Sequence, residues 1–273
     1  IKYVILYFLF TIPLSLIFWI PMILINRGVW ATPIPIIVFS TLGALSPIFA
    51  LKIVELLSHK EVSLEKIFKN IRFKQIKAPQ VLLGVFLMPC LFVIALWIYS
   101  LEHNGLAPNG AEIHLFHPEV FGDLGWFIIL IMPIHFCAAL ITSPLFEEPG
   151  WRGFALENLQ TKMPRWVAGL IVGSYWWLWH QGMNIAFGVQ PTFMGYLAML
   201  LDSLLIDAIY NKSDRNIFAA MLAHQSMGII FIYFYPLPDV WYYLVIKLLV
   251  VVFLNLLLLK PQPKREALKT LEA

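Results

Sequence analysis

Charge is the first thing this chain lacks. Of its 273 residues only 13% are Asp, Glu, Lys or Arg, about half the share of a soluble globular domain. So little charge cannot solvate the surface of an ordinary water-soluble enzyme. It does not fit a disordered chain, and it offers no basic stripe for a nucleic acid, so no nucleic-acid partner is expected. Cysteine is nearly absent too. Cys90 and Cys137 both lie in apolar runs and no CxxC occurs, which argues against a disulfide scaffold and a thiolate zinc site. No internal repeat and no low-complexity linker interrupts the chain, so residues 1–273 read as a single integral membrane domain. What the sequence holds in quantity is apolar side chains, 60% of the total or about 164 residues. At ~20 residues per membrane-crossing helix, that is material for about eight spans. The expected fold class is all-α, a polytopic membrane protein whose first partner is lipid.

Eight apolar segments can be drawn, near 3–26, 31–56, 80–100, 124–145, 166–186, 193–210, 217–235 and 240–259. Each is read as a helix, because a backbone facing lipid must satisfy its own hydrogen bonds. The first has no small-residue cleavage site and is too long for a signal segment, so it reads as a permanent span. The chain opens on Ile1 rather than Met, and a few residues are expected to precede it.

The cations give the orientation. With the N-terminus cytoplasmic, Arg27 alone of the 19 Lys and Arg falls outside, and Lys247 sits within the last span. The remaining seventeen lie on the inner side, as the positive-inside rule requires for eight helices with both termini cytoplasmic. The outer loop 101–123 holds Glu102, Glu112, Glu119 and Asp123 and neither Lys nor Arg. The expected location is a prokaryotic cell membrane. Within the inner segment 61–77, Leu64, Ile67, Phe68 and Ile71 fall at helical spacing between basic residues. That pattern predicts a short amphipathic helix over Ser63–Phe73, lying on the anionic inner leaflet.

Ionisable residues at membrane depth cost a few kcal/mol each unless paired or solvated, so they point to function. They are His135, Glu147, Glu148, Arg152, His180, Asp202, Asp207, His224 and Lys247. On a helix Glu148 and Arg152 are four apart and can pair. Glu147 points about 100° away and lacks that partner. A carboxylate in a poorly solvated site suits a general base acting on water, and two imidazoles from other helices could hold the water or an oxyanion. A structural Glu–Arg clamp with two hydrogen-bonded histidines explains the same residues. Pro149 and Gly150 suggest that the helix begins at the Glu pair rather than running through it. For Asp202 and Asp207, both on one helix, interhelical hydrogen bonds are expected. His135 reads as a core histidine and Lys247 as snorkelling or paired. Trp176, Trp177 and Trp179 crowd His180 and are expected to narrow the site rather than to act in the chemistry.

The series Glu147-Glu148-x-x-x-Arg152, then Trp176 ahead of His180, then His224 resembles the CPBP family of intramembrane proteases. That family includes the type II CAAX prenyl endopeptidases and the bacterial Abi proteins. Its motifs are EExxxR, FxxxH and HxxxN or HxxxD. The first is complete here, and the second carries Trp176 in the Phe position. The third is met only at His224, since Gly228 stands where Asn or Asp is usual. The resemblance covers roughly 140–230, with a protease-like core at about 124–235.

The resemblance implies an endopeptidase in which Glu147, Glu148, His180 and His224 are catalytic, supported by Arg152 and Trp176. Glu147 would activate a water to hydrolyse a peptide bond of a membrane-associated peptide or protein, prenylated or not. Asn184, one turn beyond His180, and Gln225, beside His224, are candidate donors in place of the missing Asn. The family is often described as metalloproteases. Glu147, His180 and His224 are the candidate ligands for a divalent metal such as zinc, and a metal-free water mechanism fits the same residues. The competing class is a non-enzymatic membrane immunity or interaction protein with a decayed site. No HExxH and no GxGD signature supports another intramembrane protease type.

Overall fold

The computed structural model describes residues 1–258. The basic stretch Lys260, Lys264, Arg265 and Lys269, assigned above to the inner side, lies outside the described residues, as does the end of the eighth segment. Helices account for the architecture. They are α1 (Lys2–Asn26), α2 (Ile36–Ala44), α3 (Ser46–Leu57), α4 (Leu64–Phe68), α5 (Ala78–Glu102), α6 (Pro118–Leu124), α7 (Ile128–Ala139) and α8 (Ser143–Gly150). A π-helix (Trp151–Leu156) follows, then α9 (Glu157–Gln160), α10 (Arg165–Ala186), α11 (Phe193–Lys212), α12 (Ile217–Tyr233) and α13 (Val240–Leu258). Among the described residues β-pairing is confined to two isolated bridges, Leu106 with Glu112 and Phe116 with Phe234.

Among the described residues five helices are long and apolar enough to cross a membrane: α1, α5, the run Pro118–Ala139, α11 and α13. The pair α2–α3, bent by 41°, makes a sixth. The two other expected spans are helical as well, but α12 has only 17 residues. Helix α10 has 22, and His180, Gln181 and Asn184 dilute its apolar character. These helices leave much of their apolar surface uncovered. Only 22% of the α1 window and 6% of the Pro118–Ala139 window is buried inside the protein, and Trp126 and Phe231 are each 78% exposed. In water such a surface would aggregate; against lipid it is what a spanning helix presents.

The packing places α10, α11 and α12 at the centre. Helix α1 lies against α2, α3 and α10, α5 against α12 and α13, and α11 against α10, α12 and α13. The α8–π–α9 rod enters this centre and touches α1, α3, α10, α11 and α12. An aromatic cluster seats it. The Trp151 ring lies 5.3 Å from Tyr7 on α1 and 5.9 Å from Trp179 on α10, and Trp179 lies 5.0 Å from Trp19.

Two expected elements differ. The segment 124–145 is not one helix, because it breaks at 140–142 and restarts at Ser143 with Pro144 in its first turn. Proline fixes φ and needs no amide partner there, so it starts a helix readily. The rod therefore begins ahead of the Glu pair and runs through it, and Pro149 is absorbed inside.

The amphipathic helix of 61–77 is also shorter than its spacing predicts. It ends at Phe68, and Leu64, Ile67 and Ile71 pack against the protein's own core. The reason is tertiary hydrogen bonding. Asn216 at the start of α12 takes the Arg72 amide (3.0 Å) and donates to the Arg72 carbonyl (3.1 Å), and the Ile217 amide donates to the Asn70 carbonyl (3.1 Å). A helix continued through Arg72 would have to give up those bonds.

Candidate active site

Glu147 and Glu148 sit in the last turn of α8, and both are buried, at 2% and 0% exposure. The π-helix that follows widens the turn, a feature frequent at functional sites. Consecutive positions on a helix diverge by about 100°, so the two carboxylates enter different surroundings.

Glu148 faces the charged set. Its Oε1 accepts from Arg152 Nη1 at 3.0 Å and from His224 Nδ1 at 2.7 Å. Arg152, fully buried, also donates through Nε to Asp207 Oδ1 (2.9 Å) and through Nη2 to Ser203 Oγ (2.6 Å) and the Ser203 carbonyl (3.3 Å). One guanidinium thus ties α8 to α11, and Glu148 ties α8 to α12. The bidentate reach and permanent charge of arginine suit this position; lysine would supply one point charge and fewer directed donors. With Glu148 accepting from Nδ1–H, the His224 Nε2 is left for another group.

Glu147 faces the aromatic set. Trp176 Nε1 donates to its Oε2 at 2.8 Å, and the Ser143 hydroxyl donates to its Oε1. Each oxygen therefore receives one hydrogen bond and keeps a lone pair. Trp176 stands between the two histidines, its ring 5.0 Å from His180 and 5.4 Å from His224, both edge-on, with the Arg152 guanidinium carbon 5.1 Å from its centroid. This revises its expected part: the side chain that narrows the site also holds the candidate base. Trp177 turns away to meet Tyr196 at 5.2 Å, while Trp179 touches His180 at 4.6 Å. His180 is partly exposed, and its Nδ1 bonds to the Trp176 carbonyl at 2.9 Å.

The structure thus brings Glu147, Glu148, Arg152, Trp176, His180 and His224 into one cluster. Asn184 and Gln225 join it by no hydrogen bond among the described residues. The space at Gly228 is open, since a Cβ built there would find nothing nearer than the Gln225 side chain at 3.8 Å. Gly150 is the opposite case. A Cβ there would fall 2.2 Å from the Tyr7 hydroxyl, so glycine is what allows α1 to reach the rod.

Among the described residues no three His, Cys, Asp or Glu side chains are placed to share a metal ion. The three candidate ligands do not form such a set. Glu147 is engaged by Ser143 and Trp176, and both imidazoles lie against the Trp176 ring.

Ser143 and Ser203 escaped the sequence reading, and Asp207, for which an interhelical hydrogen bond was expected, had no partner assigned. Ser143 precedes Glu147 by four, the same spacing that pairs Glu148 with Arg152, and could have been found from it. Asp207 and Ser203 could not be tied to Arg152 from spacing, because both lie more than 50 residues away. The other intramembrane groups are paired elsewhere. Lys247 does not snorkel; it meets Asp202 at 2.7 Å, bridging α13 and α11. His135 meets the Tyr233 hydroxyl at 2.8 Å.

Residues 126–230 match the family described as type II CAAX prenyl endopeptidase Rce1-like. A protein of Methanococcus maripaludis named CAAX prenyl protease 2 is 28% identical over 140 residues, which is 50% of this chain and 47% of that protein. The matched region thus spans about half the length of that relative. Both findings support the CPBP family, and the family match over 126–230 spans Glu147, Glu148, Arg152, Trp176, His180 and His224.

Proposed function

Taking the chain as a relative of the CPBP intramembrane proteases, we propose that it is an intramembrane endopeptidase in which Glu147 activates a water against a peptide bond of a membrane-associated substrate. The observation that supports this most is the different treatment of the two carboxylates. Glu148 is tied to Arg152 and His224 and serves as structure. Glu147 meets only neutral donors, Ser143 and Trp176, and keeps a lone pair on each oxygen.

In the proposed step Glu147 takes a proton from water as the hydroxide adds to the carbonyl carbon. His224, held by Glu148 through Nδ1–H and protonated at Nε2, donates to the oxyanion, with His180 also lying against the Trp176 ring. Glu147 then returns the proton to the leaving nitrogen as the C–N bond breaks. Proton transfer by a positioned base typically contributes ~10²–10⁴-fold. One preorganised oxyanion donor contributes ~2.7–4 kcal/mol. No step is routed through a metal in this proposal. We further propose that both termini and the 61–77 segment face the cytoplasm, and that prenylated C-terminal peptides are the substrates to test first.

The test is cleavage of prenylated and unprenylated peptides of one sequence by purified protein in lipid nanodiscs, with and without prior dialysis against a chelator. Wild type should cleave, dialysis should leave the rate unchanged, and Glu147→Gln should abolish cleavage while keeping the melting temperature. Equal activity of Glu147→Gln would refute the role of Glu147, and loss on dialysis restored by zinc would refute the metal-free step. The open space at Gly228 favours a second reading, an interaction or immunity protein with a decayed site. A cellular phenotype that survives Glu147→Gln would establish that reading instead.

A further inference from the structure

Away from the Glu147 cluster, a cavity of about 430 Å³ lies among α5, α11, α12 and α13. Its volume falls within the ~300–1,000 Å³ usual for small-molecule sites. Phe92, Met227, Ile230 and Leu244 give it apolar walls. Its rim is pinned where the outer loop meets the end of α12. There the His117 amide donates to the Tyr233 carbonyl at 3.0 Å, and the Tyr235 amide donates to the Leu115 carbonyl at 3.1 Å. None of its lining residues belongs to the cluster described above.

The cavity also has a built polar lining. Asp202 and Lys247, 3% and 2% exposed, form an ion pair at 2.7 Å and both line it. Beside the carboxylate Lys247 reaches the Ala198 carbonyl at 3.4 Å and lies 3.9 Å from the centre of the Tyr243 ring. Three lining atoms are buried and have no hydrogen-bond partner: the Tyr243 hydroxyl, His117 Nδ1, and Asp202 Oδ1, which faces Lys247 without hydrogen-bond geometry. Buried polar atoms without partners are uncommon and ask for an explanation, and ionisable pairs at membrane depth tend to mark ligand sites.

We propose that this cavity binds a neutral single-chain amphiphile with a hydroxyl head. The apolar walls fit an alkyl chain. The pair is neutral overall, so an anionic head would meet the Asp202 carboxylate and a cationic head the Lys247 ammonium. A hydroxyl both donates and accepts. It can donate to Asp202 or His117 and accept from Tyr243, groups that an alkane leaves unmet.

The test uses the full chain in phosphatidylcholine nanodiscs, labelled with a dodecanol that carries a photoactivatable diazirine in its chain, and needs no protease activity. Labelling should saturate, map by mass spectrometry to peptides within 227–247, and be competed by unlabelled dodecanol. Dodecane, dodecanoate and dodecyltrimethylammonium should compete roughly tenfold more weakly, the worth of one or two hydrogen bonds. Val240→Trp, at the half-exposed mouth, should abolish labelling without moving the melting temperature. Tyr243→Phe, which removes the unpartnered hydroxyl that the head group would accept from, should reduce the preference for dodecanol over dodecane. Unsaturable labelling spread over all lipid-facing helices would overturn the proposal. So would equal competition by dodecane, a preference for dodecanoate, or unchanged labelling of Val240→Trp.

Discussion

Replacing Arg152 by Met removes the guanidinium and keeps most of the stem. Arg152 is 0% exposed and makes four polar contacts, to Glu148, Asp207, and the hydroxyl and carbonyl of Ser203. Without it Glu148 keeps His224, but the Asp207 carboxylate keeps no partner among the described residues. Removing one member of a buried pair typically costs ~3–5 kcal/mol, because the remaining charge stays desolvated. Against a total stability of ~5–15 kcal/mol that is a large fraction. At ~2–4 °C per kcal/mol for a chain of this size, the melting temperature should fall by about 6–20 °C. The assay is thermal unfolding of purified protein in one detergent, read by intrinsic tryptophan fluorescence, with folded yield measured alongside. Adding Glu148→Gln and Asp207→Asn to Arg152→Met removes the stranded charges and should recover more than half of the loss, since the three groups act as a unit. Should Arg152→Met melt within about 3 °C of wild type, roughly 1 kcal/mol, the guanidinium is not what holds α8 to α11 and the argument fails.

Trp176→Phe keeps a ring between the histidines but deletes the donor to Glu147. A hydrogen bond to a charged group is worth ~1.5–3 kcal/mol, so kcat should drop about 10- to 150-fold with little change in melting temperature; equal loss of both would assign Trp176 to packing alone. Gly150→Ala puts a methyl group 2.2 Å from the Tyr7 hydroxyl and should cost ~1–3 kcal/mol, which Tyr7→Phe in the same chain should partly return; an unchanged melting curve for Gly150→Ala would show that α1 yields freely. Gly228→Asn places its Cβ in ordinary contact with the Gln225 side chain at 3.8 Å and trades a poor helix former for a better one, so it should fold at least as well as wild type. Its turnover should rise, and a fall in turnover at unchanged stability would mean that the open space itself is used by substrate.

What the sequence determined by itself follows from physics that acts along a single helix. Hydrocarbon forces each apolar run into a helix, and helices do lie over all eight expected segments; five of these cross by length and composition, or six with the bent pair. The i,i+4 rule placed Arg152 against Glu148, and the same rule applied to Ser143 would have found the hydroxyl on Glu147. Helical period says which residues share a face but not which neighbour that face meets, and there the tertiary structure decided. Asp207, 55 positions from Arg152, becomes its partner only because α11 lies beside the rod. The 61–77 segment satisfies its apolar spacing on the protein rather than on lipid, because Asn216 captures the Arg72 backbone. In the sequence, Trp176 is only a departure from the Phe of the family motif. Packed against α8 it becomes a hydrogen bond to Glu147, because an indole, unlike a phenyl ring, carries an N–H, and only the crossing of α10 over α8 brings that N–H to a carboxylate.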